Sequence, residues 1–294
     1  MEYVEPRSLS EACDALSDER SDAKVLAGGV ALSIMMRWGL VKPGRLISIR
    51  YLEELRYARV DNHQALRIGA ATTHREIETS SLIREQQPAL AEMERRLASV
   101  QVRNSGTLGG NLCHADSAAD PAPLLLALDA SVVLASVRGR RTLSLKEFFR
   151  GYLTTALAPD EILAEIVIPA QPPRSGAAYM KHSTRNAVDF PFAGVATQVS
   201  LSTDAASCAG ARLAVGAVGP TPRLSESIPR LLDGRLLSEP VIGEAATAAS
   251  LEVEVADDAS GSAEYRRHLV AVLARRALTQ AWERARAAAA PERS

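Results

Sequence analysis

Residues Ser105–Ala130, SGTLGGNLCHADSAADPAPLLLALDA, constrain the fold more than any other stretch of this chain. A glycine pair, Gly109-Gly110, stands between Thr107 and Asn111. A run of small and polar residues then leads through Asp120-Pro121 into an apolar helical stretch. Two glycines in a row let backbone approach a ligand with no Cβ in the way. The Thr107 hydroxyl and the Asn111 amide can both hydrogen-bond a phosphate or a hydroxyl. Asp120 can accept from sugar hydroxyls or cap the helix that opens at Pro121, and the two roles are compatible.

A second glycine pair lies upstream, in Lys24–Leu32 (KVLAGGVAL). Lys24–Ala27 reads as a short buried strand, Gly28-Gly29 as a break, and Ala31–Trp38 as a helix. Strand, glycine turn, helix is the order that presents free backbone N–H groups to a phosphate. An ordinary tight turn explains the same residues. Further strands are expected at Arg45–Ile49, Leu66–Ala70 and Glu161–Ile168. Helices are expected over Thr73–Gln86, with Thr73 as cap, and over Pro88–Leu97. Arg138-Gly139-Arg140 between two strand-like runs is a hairpin signature.

At Ala170–Ser175 (AQPPRS) a linker interrupts the pattern. Beyond it, Ala177–Lys181, Phe192–Leu201 and Cys208–Val215 are strand-like, with antiparallel pairing the economical arrangement. Leu224–Leu232, Val241–Ala249 and Tyr265–Ala290 are helical. In the last of these Leu269, Leu273, Ala277 and Ala281 recur every four residues, which predicts one docked face. The expected division is a first domain over 1–172, with lobes of about 1–58 and 59–172, and an α+β second domain over 173–294.

Lys and Arg number 34 and Asp and Glu 35, so no charge excess invites nucleic acid or an anionic membrane. No apolar run reaches the roughly 20 residues that span a bilayer. Cys13, Cys113 and Cys208 are far apart and odd in number. They fit a reducing compartment, cytoplasmic by default, and offer no metal spacing. Nor can three cysteines hold an iron–sulfur cluster that takes four thiolates.

The usual catalytic signatures are missing: no G-x-G-x-x-G, no P-loop, no H-E-x-x-H and no nucleophile elbow. No catalytic residue and no metal ligand is assigned, which favours chemistry brought by a cofactor. Lys181 can offer charge to a diphosphate or a ring edge, or be a solvated strand lysine. Asp189 can hold a loop or a ring, or be a turn residue before Pro191. Cys113 reads as a small apolar contact, and His114 is open between a bystander and a redox role.

Seven segments occur in one order: KVLAGGVALSIMM, RLISI, RIGAATTHREIE, SVQVRNSGTLGGNLCHADSAADPAPLLLALDA, EFFRGYLTTALAPDEILAEIVIP, YMKHSTRNAVDFPFAGVA and ARLAVGAVGPTPRL. That order resembles the FAD-binding medium subunit of the molybdenum hydroxylases, the group of carbon monoxide, xanthine and N-heterocycle dehydrogenases. The T-x-G-G-N…D-x-x-P-x-L-L-A-L combination is the specific part.

The resemblance implies an α+β chain: a two-lobed, vanillyl-alcohol-oxidase-like (PCMH-type) FAD-binding domain, then a C-terminal domain with a small antiparallel sheet and helices. It implies that Lys24, Val25, Leu26, Ala27, Gly28, Gly29, Val30, Ala31 and Leu32 wrap the diphosphate and adenine side of a non-covalent FAD. Thr107, Gly109, Gly110 and Asn111 would bind the diphosphate from the opposite jaw. Cys113 and His114 would lie along the flavin ring, with Asp120 on the cofactor's hydroxyls or ring edge. Lys181, Asp189 and Phe190 would stand near the isoalloxazine, and Leu97 and Ala98 would wall the adenine site. Implied partners are a small 2Fe–2S subunit and a large molybdopterin subunit, in a dimer of heterotrimers. Electrons would leave to NAD or a quinone-type acceptor.

One departure stands out. The family's first loop usually reads A-G-G-T-D-L, and Val30-Ala31 replace the polar pair. A side-chain hydrogen bond to phosphate is lost, worth about 1 kcal/mol, while backbone N–H groups remain. A flavin-free structural subunit and a stand-alone FAD-dependent oxidase are the competing expectations.

Overall fold

The computed structural model describes residues 1–18, 22–185, 189–258 and 261–290. It falls into two compact units, Met1–Asp116 with Ala130–Pro169, and Ser117–Asp129 with Ala170–Ser294. The opening stretch is thus shared out, its glycine half to the first unit and its apolar helix to the second.

The first unit begins with a parallel three-stranded sheet. Strand β1 (Glu2–Val4) is followed by α1 (Leu9–Leu16), β2 (Ala23–Leu26), α2 (Val30–Arg37) and β3 (Arg45–Ser48). The strand order is β1-β3-β2, with Leu26 beside Ser48. Ser8 caps α1 by accepting from the Glu11 N–H. Leu9, Ala12, Cys13 and Leu16, at helical spacing, are its buried residues and join Ile47 and Ile49 in one apolar cluster. Helix α2 differs: all but one of its first seven residues are apolar, yet none of its residues is buried.

The rest of the unit holds β4 (Ala58–Val60), β5 (Leu66–Gly69), α3 (His74–Thr79), α4 (Ser81–Gln86), α5 (Pro88–Arg95), α6 (Val100–Ser105) and α7 (Leu108–His114). Past the excursion of α8 (Pro121–Ala127) into the second unit come β6 (Ser131–Ser136), β7 (Gly139–Ser144), α9 (Leu145–Phe148), β8 (Phe149–Gly151), β9 (Thr154–Thr155) and β10 (Ile162–Ile168). An antiparallel sheet of order β4-β5-β10-β6-β7 results, and the hairpin expected at Arg138-Gly139-Arg140 joins β6 to β7.

The single helix expected over Thr73–Gln86 is two. Thr73 does cap α3, in a capping box with Glu76. At Ser80 the backbone turns extended (ψ 123°), and the Ser80 side chain caps α4 through the Ile83 N–H. A serine hydroxyl competes with helical pairing here, which apolar periodicity does not register.

In the second unit β11 (Ser175–His182), β12 (Ala193–Leu201), β13 (Cys208–Gly216) and the short β14 (Arg223–Leu224) pair antiparallel in chain order. Every residue of β12, the inner strand, is buried. Helices α10 (Ser227–Leu232), α11 (Glu239–Leu251) and α12 (Ala263–Ala289) follow. Leu273, Ala277 and Ala281 of α12 are buried, as their spacing predicts, and Leu269 is partly so. The Thr197 hydroxyl of β12 donates to the Ala277 carbonyl at 3.0 Å, pinning helix to sheet. The Pro123 ring of α8 lies against Gly216 at the end of β13, where a Cβ would stand 3.1 Å from Pro123 Cγ.

Candidate cofactor site

The two glycine pairs meet in the first unit. Gly28 packs on the backbone that precedes Thr107: a Cβ on Gly28 would collide with the Ser105 carbonyl oxygen and come within 2.8 Å of the Gly106 Cα. This glycine serves close approach of two chain segments. Gly29 serves conformation. Its φ of +77° is left-handed, and it stands at the cap position of α2. With no side chain there, no cap bond forms. The N–H groups of Gly28 through Leu32 meet no acceptor among the described residues. The first jaw therefore offers a row of free donors at the positive end of a helix.

The second jaw is organised differently. The N–H of Leu108 donates to the Thr72 carbonyl and that of Gly109 to the Ala70 carbonyl, both at 3.0 Å. Gly110 donates to Thr107 Oγ1 at 3.1 Å, and Asn111 to the Thr107 carbonyl at 2.9 Å. The backbone donors of Leu108–Asn111 are thus spent inside the protein. Gly109 abuts Ala70, where a Cβ would clash, so its role too is packing. The direction of Gly110's missing Cβ leads past Thr107 Oγ1 toward the Ala27 Cβ, 3.9 Å away in the first jaw. What this jaw keeps for a ligand is the Thr107 hydroxyl hydrogen and the Asn111 side chain. Asn111 Oδ1 is buried and has no hydrogen-bond partner among the described residues, a costly state unless something supplies a donor.

Leu97 is buried and Ala98 takes a left-handed φ of 43°. Their carbonyls accept from Arg103 Nη1 at 2.7 and 2.8 Å. Cys113 and His114 end α7, both half-buried. Burial pushes the Cys113 thiol up to about 12, so it is a neutral, inert contact at ordinary pH.

The second unit holds Asp120, Lys181, Asp189 and Phe190. Lys181 Nζ lies 2.8 Å from Asp120 Oδ2, with both side chains 8% exposed, so Lys181 is not the solvated strand lysine that was one expectation. Asp120 stands at the cap position of α8 but makes no side-chain cap bond. Its other oxygen accepts from the Tyr179 hydroxyl at 2.6 Å, and the two side-chain partners outcompete capping. Burial, and then the Asp120 charge, push the Tyr179 phenol well above its ordinary value, so it stays a donor. Asp189 accepts from the N–H and guanidinium of Arg185, which hold its carboxyl below the usual range. Phe190 is 67% exposed.

Sequence reasoning missed Tyr179, Arg103 and His74. Tyr179 was within reach: two positions before Lys181 on a strand, it shares that residue's face. Arg103 and His74 carried no local sign, because their partners lie elsewhere in the chain.

The donors of Gly28–Leu32, the orphaned Asn111 oxygen and the hydroxyl of Thr107 fit the diphosphate and hydroxyls of a dinucleotide. Among the described residues no group of three or more His, Cys, Asp or Glu could hold a metal. Nor is any described helix long and apolar enough to cross a membrane.

Comparison with known proteins identifies the family. Residues 1–171 match the family model of the FAD binding domain in molybdopterin dehydrogenase, and residues 177–281 match the CO dehydrogenase flavoprotein C-terminal domain. The nicotine 6-hydroxylase medium subunit of Paenarthrobacter nicotinovorans is 37% identical over 96% of this chain and 97% of its own. The carbon monoxide dehydrogenase medium chain of Hydrogenophaga pseudoflava is 35% identical over 96% and 97%. The solved carbon monoxide dehydrogenase of the latter organism superposes with a TM-score of 0.92 at 35% identity, covering 97% of this chain and 98% of that one. Quinoline 2-oxidoreductase of Pseudomonas putida 86 gives 0.90 at 30% identity, with the same coverage.

Proposed function

The chain belongs to the FAD-binding medium subunits of the molybdopterin dehydrogenases, and on that premise we propose that it is the electron-transfer subunit of a multi-subunit molybdenum hydroxylase. It would take electrons from the 2Fe–2S clusters of a small partner subunit and pass them to NAD or a quinone-type acceptor. A large subunit with the molybdopterin cofactor would hydroxylate the substrate, in a cytoplasmic dimer of heterotrimers. FAD, when bound, supplies the exchange between single electrons and electron pairs.

One observation carries the reading: the contact of Gly28 with Ser105–Gly106 brings the uncapped start of α2 and the orphaned Asn111 oxygen into one cradle. The chain's own part is to bind and orient. Backbone N–H groups of Gly28–Leu32 bind diphosphate oxygens, which need no side chain and so survive Val30-Ala31. Asn111 Oδ1 accepts from a ligand hydroxyl or N–H. Cys113, neutral and apolar, excludes water beside the ring without titrating. Asp120 and Lys181 form a buried ion pair within the second unit. No acid–base group is required of this chain, consistent with the missing catalytic motifs.

The test is purification of the chain with its native partners, followed by visible absorbance and flavin release. Stoichiometric FAD is expected. A complex that assembles with no flavin would overturn the reading in favour of a structural subunit, and turnover of a small alcohol by the isolated chain would favour an oxidase.

A further inference from the structure

Helix α3 carries two side chains one turn apart, His74 and Glu78, on the same face. At its start the His74 N–H donates to the Gly106 carbonyl at 3.0 Å. The His74 ring, 2% exposed, lies under Gly106, whose absent Cβ would come 3.1 Å from ring Cδ2. Ring Nδ1 stands 2.8 Å from Oε2 of Glu94 in α5, a residue with no exposure. One turn on, Glu78 accepts from Nε of Arg103 in α6 at 2.9 Å. Arg103 is 7% exposed, and its Nη1 bonds the carbonyls of Leu97 and Ala98. Burial works against the Glu78 charge, but Arg75 and Arg103 together hold its carboxyl below the ordinary value.

Helix α6 is therefore held at both ends from α3. Arg103 fixes the turn before it, where Ala98 keeps a left-handed φ. His74 fixes the corner after it, Ser105–Gly106, which Gly28 meets. A buried Arg–carboxylate pair beside a buried His–carboxylate hydrogen bond is a poor route to stability, since apolar residues of similar volume do as well or better. Their geometry is what an apolar pair could not supply. A guanidinium is a planar fork that holds a carboxylate and two carbonyls in one fixed arrangement, whereas a lysine is a compact point charge on a flexible stem.

We propose that Arg103 and His74 are positioning residues of the cofactor cradle: anchored on α3, they fix the separation of the Leu97–Ala98 turn from the Ser105–Gly106 corner and so preset the wall for the adenosine half of the dinucleotide. This rests on the reading of the cradle as an FAD site. It rests as well on the adenine wall that the resemblance places at Leu97–Ala98.

The test separates the halves of the ligand. The flavin-depleted full chain, kept with its partner subunits, is titrated with FAD and then challenged with ADP or FMN as competitor. Arg103→Lys is expected to weaken FAD and ADP by the same factor, about tenfold for lost charge-assisted bonds, and to leave the FMN dissociation constant unchanged. Glu78→Gln keeps the carbonyl bonds and is expected to cost about threefold, which serves if Arg103→Lys does not fold. Ile68→Val, buried in β5 and with no part in the Arg103 or His74 contacts, is the control for general destabilisation. Unchanged ADP and FAD affinity in both variants overturns the proposal, as does equal weakening of FMN, or equal weakening by Ile68→Val at a matched Tm. A parent that binds no FAD overturns the cofactor reading and this one together. A parent that binds FAD as its variants do overturns this one alone.

Discussion

Gly28 lies against Ser105 so closely that the carbonyl oxygen of Ser105 occupies the space where a Cβ on Gly28 would stand. Two segments more than seventy residues apart are joined backbone to backbone at this point. The loop that carries free N–H donors and the loop that carries Thr107 and Asn111 take their spacing from it.

Gly28→Ala is expected to force those segments apart. Overpacking of this kind costs about 2 kcal/mol, and the donors of Gly28–Leu32 move with the displaced loop. Tm and FAD occupancy should fall together. A variant that keeps full flavin would show that the contact is not what spaces the jaws.

Asn111→Ala should behave in the opposite way toward the free chain. Asn111 Oδ1 has no partner among the described residues, so its removal relieves a desolvated acceptor and leaves the flavin-free Tm unchanged or higher. FAD affinity should drop about tenfold, the worth of one buried hydrogen bond of roughly 1.4 kcal/mol. Titration calorimetry beside a melting curve reads both effects.

Lys181→Met leaves Asp120 buried with the Tyr179 hydroxyl as its remaining named side-chain partner, whereas Tyr179→Phe leaves the ion pair intact. Breaking a buried pair costs about 3 kcal/mol, and losing one hydrogen bond to a charge costs about 1.5 kcal/mol. Urea midpoints should rank parent, Tyr179→Phe, Lys181→Met. The reverse order would mean that the phenol, not the ammonium, carries the Asp120 charge.

Acid should unfold the first unit through Glu161. Arg141 bonds both its oxygens, at 2.6 and 2.7 Å, and is the main cause that holds the carboxyl below its ordinary 4.5. A depressed folded-state pKa contributes stability that is whole above 4.5 and is lost as pH falls through the lower folded value. Melting temperatures taken from neutral to acid pH should drop over that window. In Arg141→Met the drop should be shallower, because the folded and unfolded values then lie closer together.

Cys113 gives the alkaline counterpart. Burial raises its thiol from 9.0 to about 12, so the folded chain holds this proton more tightly than the unfolded one. Its contribution is whole below 9.0 and is lost as pH climbs toward 12. Native protein at neutral pH should not be alkylated at Cys113 by iodoacetamide, and urea should expose it. Rapid native labelling, mapped by mass, would contradict the half-buried, neutral thiol.

How much of this was legible beforehand depends on range. Ser8 and Thr73 cap their helices as their residue types dictate, the hairpin at Arg138-Gly139-Arg140 forms, and the strands of the second unit pair in chain order. These are local matters of period, turn chemistry and capping, each set within about ten residues. The glycine pairs were also legible as places where backbone must come close to something.

What each glycine approaches was not legible. Gly28 and Gly109 meet other protein backbone, Gly29 supplies a left-handed turn, and Gly110 faces the opposite jaw. Asp120 read as a sugar-hydroxyl acceptor or a cap and is an ion-pair partner; Lys181 read as a charge for a ligand or a solvated lysine, and its side chain is buried. Arg103 and His74 looked like nothing in particular. The sequence by itself determined most of the elements, the family and the two glycine loops, because propensity and motif are written in neighbouring residues. Only the tertiary structure decided which donors stay free and which buried charges find partners, because hydrogen-bond satisfaction is settled between residues that the chain brings together from far apart.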